Sequence, residues 1–285
     1  MDNNDLDRLI HDHRAARAAR LQELDGAFSA ISLKAWLKIA QAAGLPCIPA
    51  EEIAALRCDA WLDIENPTDP DIIHHIQDVA ARIAAFRKEP DSRSKILRWD
   101  FCSALPMKAA LADGLSKAGH PGDFGQDIDP MDDRAIGILL HDHIAEDVPI
   151  LARPWFTAAV DQDYPVEFRV FVREDNVQGV SNYYPQRALP DSDFIRQAAT
   201  HCTDLATNLV TSMRQRGVYP WMPSYDGHAQ PGTITASMDF LIQPDGQAVF
   251  IEAGPGFGFG AHPCCFIDRP IQGLALALAP GVKLR

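Results

Sequence analysis

Asp239 and Glu252 stand thirteen residues apart, on either side of Asp245-Gly246, in the segment TITASMDFLIQPDGQAVFIEAG. The alternating flanks predict a β-hairpin. With a two-residue Asp-Gly turn, Asp239 lies opposite Glu252 on one face, Cβ atoms ~5 Å apart. Two carboxylates at that separation repel by roughly 3 kcal/mol at an effective dielectric of about 20. A hard divalent cation such as Mg²⁺ between them reverses the sign. Phe240, Ile242, Val249 and Ile251 then turn together to the other, buried face. Pro244 also admits a three-residue Pro-Asp-Gly turn with a bulge at Gly246, which slips the pairing by one. Asp239 then faces Ile251, and Glu252 points away. Two unrelated strand acids at a solvent-facing edge fit the pattern as well.

A second hairpin, YPVEFRVFVREDNVQGVSNYY, turns at Glu174-Asp175-Asn176. In its first strand Glu167 and Arg169 alternate with Phe168, Val170 and Val172, so one face is apolar and the other carries an acid and a guanidinium. Arginine suits bidentate contact with phosphate or carboxylate; a cross-strand ion pair on a solvated face accounts for the pair too. Further cations sit on extended segments: Lys95 and Arg98 in SKILRW, Lys108 in PMK, and Arg153 in ILARPWF beside Trp155 and Phe156. Cations on strands followed by an acid-bearing hairpin suggest a nucleotide with its metal. Gly254, Gly256, Gly258 and Gly260 follow the strand of Glu252, but Pro255 and Pro263 prevent a helix from opening behind them. A phosphate-cradling glycine loop runs into a helix N-terminus, so these glycines read as a close-packed exit from the hairpin.

The elements that must hold these residues follow from the rest of the chain. DLDRLIHDHRAARAARLQELDGAFSAISLKAWLKIAQAAG carries apolar residues at helical spacing with Gly44 as its stop, and DPDIIHHIQDVAARIAAFRKEPD repeats the pattern from Asp69 or Asp71 to Pro90. A short strand falls between them. SKILRWDF and VPILARPWF read as extended, PMDDRAIGILLHDHIAED as a helix after Pro130, and DSDFIRQAATHCTDLATNLVTSMRQRG as a long amphipathic helix. That helix has Ile195, Ala198, Cys202, Leu205, Leu209 and Met213 on one stripe and ends at Gly217. Helices followed by antiparallel hairpins imply an α+β protein. Its expected parts are a mainly helical region 1–91, a subdomain 92–155 with the lysine strand, and a subdomain 156–285 with the acidic hairpin.

The 285 residues carry a net charge of −13, with 47% hydrophobic and 23% charged residues. That charge argues against a general nucleic-acid surface. No apolar run reaches membrane-spanning length, and the polar start MDNNDLDRLIHDHRAAR is no secretion signal. Cys47, Cys58, Cys102, Cys202, Cys264 and Cys265 include no CxxC pair, which fits a reducing, cytoplasmic setting. His11-Asp12-His13 and His141-Asp142-His143 lie in helical context, where residues two apart diverge, so they read as surface histidines. His262 with Cys264 and Cys265 lacks a second ligand pair for zinc, and no GxSxG nucleophile signature is present.

SMDFLIQPDGQAVFIEAGPG resembles the last strand pair of the ATP-grasp superfamily, where Asp-Phe precedes by thirteen residues the Glu of a Glu-x-Asn motif. KILRW and PILARPWF…VEFRVFV…VQGVSNYY look like an atypical ATP-grasp branch. That branch is typified by eukaryotic cell-cycle proteins that help assemble translation initiation factor 2. The resemblance covers roughly residues 92–270. It implies ATP between two α+β subdomains, with residues 153–156 as the linker at the adenine, including Arg153, Trp155 and Phe156. It also implies Lys95 and Arg98 at the phosphates, Arg169 on the γ-phosphate side, Glu167 among the ATP contacts, and Asp239 and Glu252 on Mg²⁺, with Arg169 and Lys95 as the catalytic residues. The sequence departs from the pattern twice. KILRW is one residue longer between Lys and Trp, and Gly254 stands where the metal-binding Asn belongs, which bears on the second metal site.

Two functions follow as expectations. One is an ATP- and Mg²⁺-dependent ligase that activates a small-molecule or peptide carboxylate as an acyl phosphate for attack by an amine or other nucleophile. The other is an ATP-binding assembly factor with little turnover and a protein partner. Neither needs a membrane or a nucleic acid.

Overall fold

The computed structural model describes residues 3–62, 67–101, 138–162, 164–183, 189–225 and 230–256. In chain order its elements are α1 (Asn3–Glu23), β1 (Ala27–Ser29), α2 (Leu33–Ala42), β2 (Glu51–Arg57), α3 (Cys58–Leu62), α4 (Pro70–Arg87), β3 (Lys95–Trp99) and β4 (Asp147–Pro154). There follow β5 (Val160–Asp161), β6 (Tyr164–Pro165), β7 (Glu167–Arg173), β8 (Asn176–Asn182), α5 (Asp193–Gln215), β9 (Tyr219–Trp221), β10 (Ala236–Ile242) and β11 (Ala248–Pro255). The fold is α+β, and its three- and four-stranded sheets are antiparallel. Residues 1–23 with 49–155 form one compact unit, and residues 24–48 with 156–285 the other. Among the described residues no helix is long and apolar enough to cross a membrane.

The first unit is built on the sheet β2-β4-β3. α4 starts where Asp69 caps it, its side chain accepting from Asp71 N–H, with Pro70 in the first turn. Ile72, Val79, Ile83 and Phe86 form its buried stripe, and the helix packs on β2. An aromatic group closes this core: Trp61 lies 5.0 Å from Trp99 and 5.4 Å from Phe101, and Phe101 lies 5.4 Å from His143.

His143 departs from the expectation of a surface histidine: it is 7% exposed, whereas His141 is exposed. Its Nε2 lies 3.1 Å from the Asp147 carbonyl. Burial pushes its pKa down to about 4; the Asp147 carbonyl opposes the shift and the Arg14 charge adds to it. A histidine whose folded pKa is depressed stabilises above its unfolded value of about 6.5, and this stability is lost as pH falls toward the folded value. The difference in unfolding free energy between wild type and His143→Gln is therefore expected to shrink by about 3 kcal/mol between pH 7 and pH 4. Urea melts across that range measure it, and a constant difference would refute the assignment.

The second unit is built on the sheet β11-β10-β7-β8, with α5 packed along all four strands. Ser192 caps α5 by accepting from Ile195 N–H. The expected stripe is buried except for half-buried Leu205, beside which Ala206 is buried. Glu174 and Asp175 both have positive φ, which gives the two-residue β7–β8 turn the twist that matches a hairpin. The helical pattern expected from residue 5 to Gly44 is broken in the structure. α1 ends at Glu23, Gly26 adopts φ +74, and the chain enters β1, which pairs parallel with β9. A Cβ on Gly26 would fall 1.8 Å from the Gly217 carbonyl oxygen, so this approach admits only glycine.

Candidate functional site

The β10–β11 hairpin combines the two registers that its sequence allows. Near the turn Gln243 N–H donates to the Gln247 carbonyl and Gly246 takes φ +88, the three-residue Pro244-Asp245-Gly246 turn. Pairing therefore starts slipped by one: Ile242 with Ala248, Leu241 with Val249, Phe240 with Phe250. A β-bulge between Asp239 and Phe240 then passes over Ile251 and brings Asp239 opposite Glu252. The turn slips the strands and the bulge restores them, so the two carboxylates meet. The expected grouping of Phe240, Ile242, Val249 and Ile251 on one face is corrected by the same slip. Phe240 and Ile242 keep one face, while Val249 and Ile251 pack with Leu241, Ile48, Phe156 and Ala158 on the other.

Adjacent strands extend the pairing into a row. Asp239 of β10 is the register partner of Glu252 on one side and of Arg169 in β7 on the other, and Arg169 is in turn opposite Ser181 in β8. Register partners share a face, so Glu252, Asp239, Arg169 and Ser181 run in line across four strands. The row is buried: Asp239 is 1%, Glu252 2% and Arg169 4% exposed. The solvated face expected for Arg169 is thus corrected. Arg169 Nε donates to Asp239 Oδ1 and Nη2 to Oδ2, each at 2.6 Å, a bidentate buried pair. Its guanidinium carbon also lies 4.8 Å from the Tyr183 ring centroid. Glu167, two residues before Arg169, is buried on the same face opposite Leu241.

The donor set suits a hard cation. Two carboxylates meet in register with one guanidinium beside them, so the row by itself holds one more negative than positive charge. Each carboxylate oxygen has two lone pairs. The guanidinium takes one from each oxygen of Asp239, and a carboxylate oxygen can share its second lone pair with a metal. Mg²⁺ is held through one or two carboxylates with the rest from phosphates and water. Among the described residues no group of three or more His, Cys, Asp or Glu is placed to hold a metal, so an all-protein cage is not what these strands build.

The remaining expected residues lie in or at the border of the first unit. Lys95 Nζ pairs with Glu51 Oε2 at 3.0 Å and sits 5.5 Å from the Phe86 ring centroid. Arg98 is buried, its Nε donating to the Trp99 carbonyl and its Nη2 to the Phe101 carbonyl. Alternation places Lys95 and Arg98 on opposite faces of β3. Arg153, the partner of Ile96, lies on the face of Arg98 and is buried. Trp155 donates its backbone N–H to the Ser94 carbonyl. The first unit ends at Trp155 and the second resumes at Phe156, within the expected linker. Tyr183 and Ser181 escaped the sequence reading. Strand alternation alone could not place them, because a second bulge, at Gln178, shifts the β7–β8 register between Phe171 and Val172.

Gly254 lies opposite Ser237. A Cβ on Gly256 would lie 2.5 Å from Thr235 Cγ2 and 2.9 Å from Ala236 N, the close packing expected of this exit. Lys108, Cys102, Gly258, Gly260, His262, Cys264, Cys265 and most of the helix expected after Pro130 lie outside the described residues.

No protein-family model and no curated protein matches the chain. Solved structures do. Cdc123 from Schizosaccharomyces pombe aligns at 13% identity and TM-score 0.47, over 79% of this chain and 83% of its own. The D-cycloserine synthetase DcsG aligns at 14% identity and TM-score 0.37, over 83% of this chain and 64% of its own. An ATP-grasp RimK domain protein from Sphaerobacter thermophilus aligns at 12% identity and TM-score 0.36, over 79% and 58%. Each is a protein that the chain is similar to, at a level that carries neither activity nor partner over to it.

Proposed function

We propose that the chain binds ATP with Mg²⁺ and acts as an ATP-grasp-type ligase, joining an activated carboxylate to an amine or other nucleophile. The observation that carries this reading is the buried row Glu252–Asp239–Arg169. It sets two metal-competent carboxylates beside a phosphate-competent guanidinium on one face of one sheet. Asp239 and Glu252 would hold Mg²⁺, which when bound neutralises phosphate charge. Arg169 would turn donors from Asp239 toward a phosphate oxygen. Phe156 and Ile251, half-buried against Leu241 and Val249, offer an apolar surface for a flat base. Burial keeps water from weakening these contacts, the general condition for electrostatic catalysis in phosphoryl transfer. The roles of Lys95, Arg98, Arg153, Trp155 and Glu167 rest on the sequence resemblance alone.

Gly254 favours a second reading, an ATP-binding factor with little turnover. It stands on the metal-bearing strand where the resemblance calls for Asn, and it supplies no side-chain oxygen. Two measurements decide. Millimolar Mg²⁺-ATP is expected to raise the melting temperature by several degrees, since ligand at about 100 times its Kd adds about 2.7 kcal/mol. ADP release when amino-acid mixtures are added supports the ligase. Binding without ADP release supports the factor, and no thermal shift defeats both.

A further inference from the structure

Arg169 and Asp239 occupy one another in the free protein, so whatever holds the guanidinium in place governs how readily Asp239 can turn to a cation. The Tyr183 ring is placed to do this. Its centroid is 4.8 Å from the guanidinium carbon of Arg169, within the range where an aromatic face attracts a cation. Tyr183 is 8% exposed and Arg169 4%, so water screens the contact little. Tyr183 follows β8 directly, and its backbone N–H donates to the Glu167 carbonyl at 2.9 Å. That bond anchors the ring's backbone to the strand that carries Arg169. The guanidinium is thus held by the ring on one side and by both oxygens of Asp239 on another.

We propose that Tyr183 is a positioning residue that sets the Mg²⁺ affinity of the Asp239–Glu252 pair by holding Arg169 against Asp239. The proposal rests on the reading of these carboxylates as a metal site. With the ring in place, a cation must share Asp239 with a fixed guanidinium whose positive charge repels it. Without the ring, Arg169 samples other rotamers, Asp239 presents more of its charge, and Mg²⁺ binds more tightly. Phosphate gains from the same release, because the donors of Arg169 are drawn from Asp239 more readily.

The test uses the full chain and Mg²⁺ alone as the probe, read by thermal shift without nucleotide, followed by ATP titration at saturating Mg²⁺. Tyr183→Leu is expected to lower the Mg²⁺ midpoint about fivefold and to tighten ATP binding in the same direction. Tyr183→Phe, which keeps the ring, is expected to match wild type in both. A general packing defect would weaken both ligands, so tighter binding in a variant of lower or unchanged stability is the signature. If Tyr183→Leu does not fold, Tyr183→Met is held to the same expectation. An unchanged Mg²⁺ midpoint in a folded Leu or Met variant overturns the proposal while the metal reading stands. A wild-type protein that responds to neither Mg²⁺ nor Mg²⁺-ATP removes both.

Discussion

Asp239→Asn is expected to lose about 3 kcal/mol of unfolding free energy and at least tenfold in Mg²⁺-ATP affinity. The two losses have different origins. Asn fills the same space, but its amide NH₂ replaces one carboxylate oxygen, so a donor faces a donor of Arg169, whose partners in the present structure are both Asp239 oxygens. The guanidinium stays buried with half its bidentate partner gone, and removal of one member of a buried pair costs far more than the pair itself contributes. The metal loss follows from the missing negative charge beside Glu252. A double variant separates the two effects. Arg169→Met with Asp239→Leu removes both charges from the sheet and should recover most of the lost stability, because apolar replacement of a whole buried pair is often neutral or better. It should recover none of the binding. Urea melts and calorimetric titration of the three proteins measure both. Wild-type response to Mg²⁺ in Asp239→Asn would remove this residue from the metal site.

Glu252→Gln tests the metal alone. Glu252 lies at the end of the row, beyond Asp239 from Arg169, so the bidentate pair survives the substitution. Stability is expected to change by less than about 1 kcal/mol, partly because the substitution also relieves repulsion between neighbouring carboxylates. The Mg²⁺ midpoint for ATP binding should rise at least tenfold, since one of the two carboxylates proposed to hold the metal becomes a neutral amide. Affinity measured in EDTA should change little. A variant that needs no more Mg²⁺ than wild type would show that Glu252 is an internal structural charge.

Much of the architecture could be read locally. Caps and breakers that act within a few residues marked α4 at Asp69-Pro70 and α5 at its acidic start, and alternation marked β7, β8, β10 and β11. Residue chemistry by itself singles out Arg169, Asp239 and Glu252. Strand register was beyond the sequence, because it is the sum of a turn and a bulge, and each moves the pairing by one. In β10–β11 the three-residue turn and the bulge at Ile251 cancel, and the carboxylates meet. In β7–β8 the two-residue turn is followed by a bulge at Gln178, which sets Ser181 rather than Val180 opposite Arg169.

Helix breaks and burial were likewise decided in three dimensions. Gly26, at φ +74 in the break that follows Glu23, lies against the Gly217 carbonyl from far along the chain, and His143 is buried with the Phe101 ring against it. The sequence by itself determined that carboxylates and a guanidinium with chemistry suited to a metal and a phosphate lie on these strands, since that chemistry belongs to functional groups. The tertiary structure alone decided that Arg169 already holds Asp239 and that the row is buried. Charge pairing and exclusion of water depend on which strands become neighbours, and no local pattern encodes that choice.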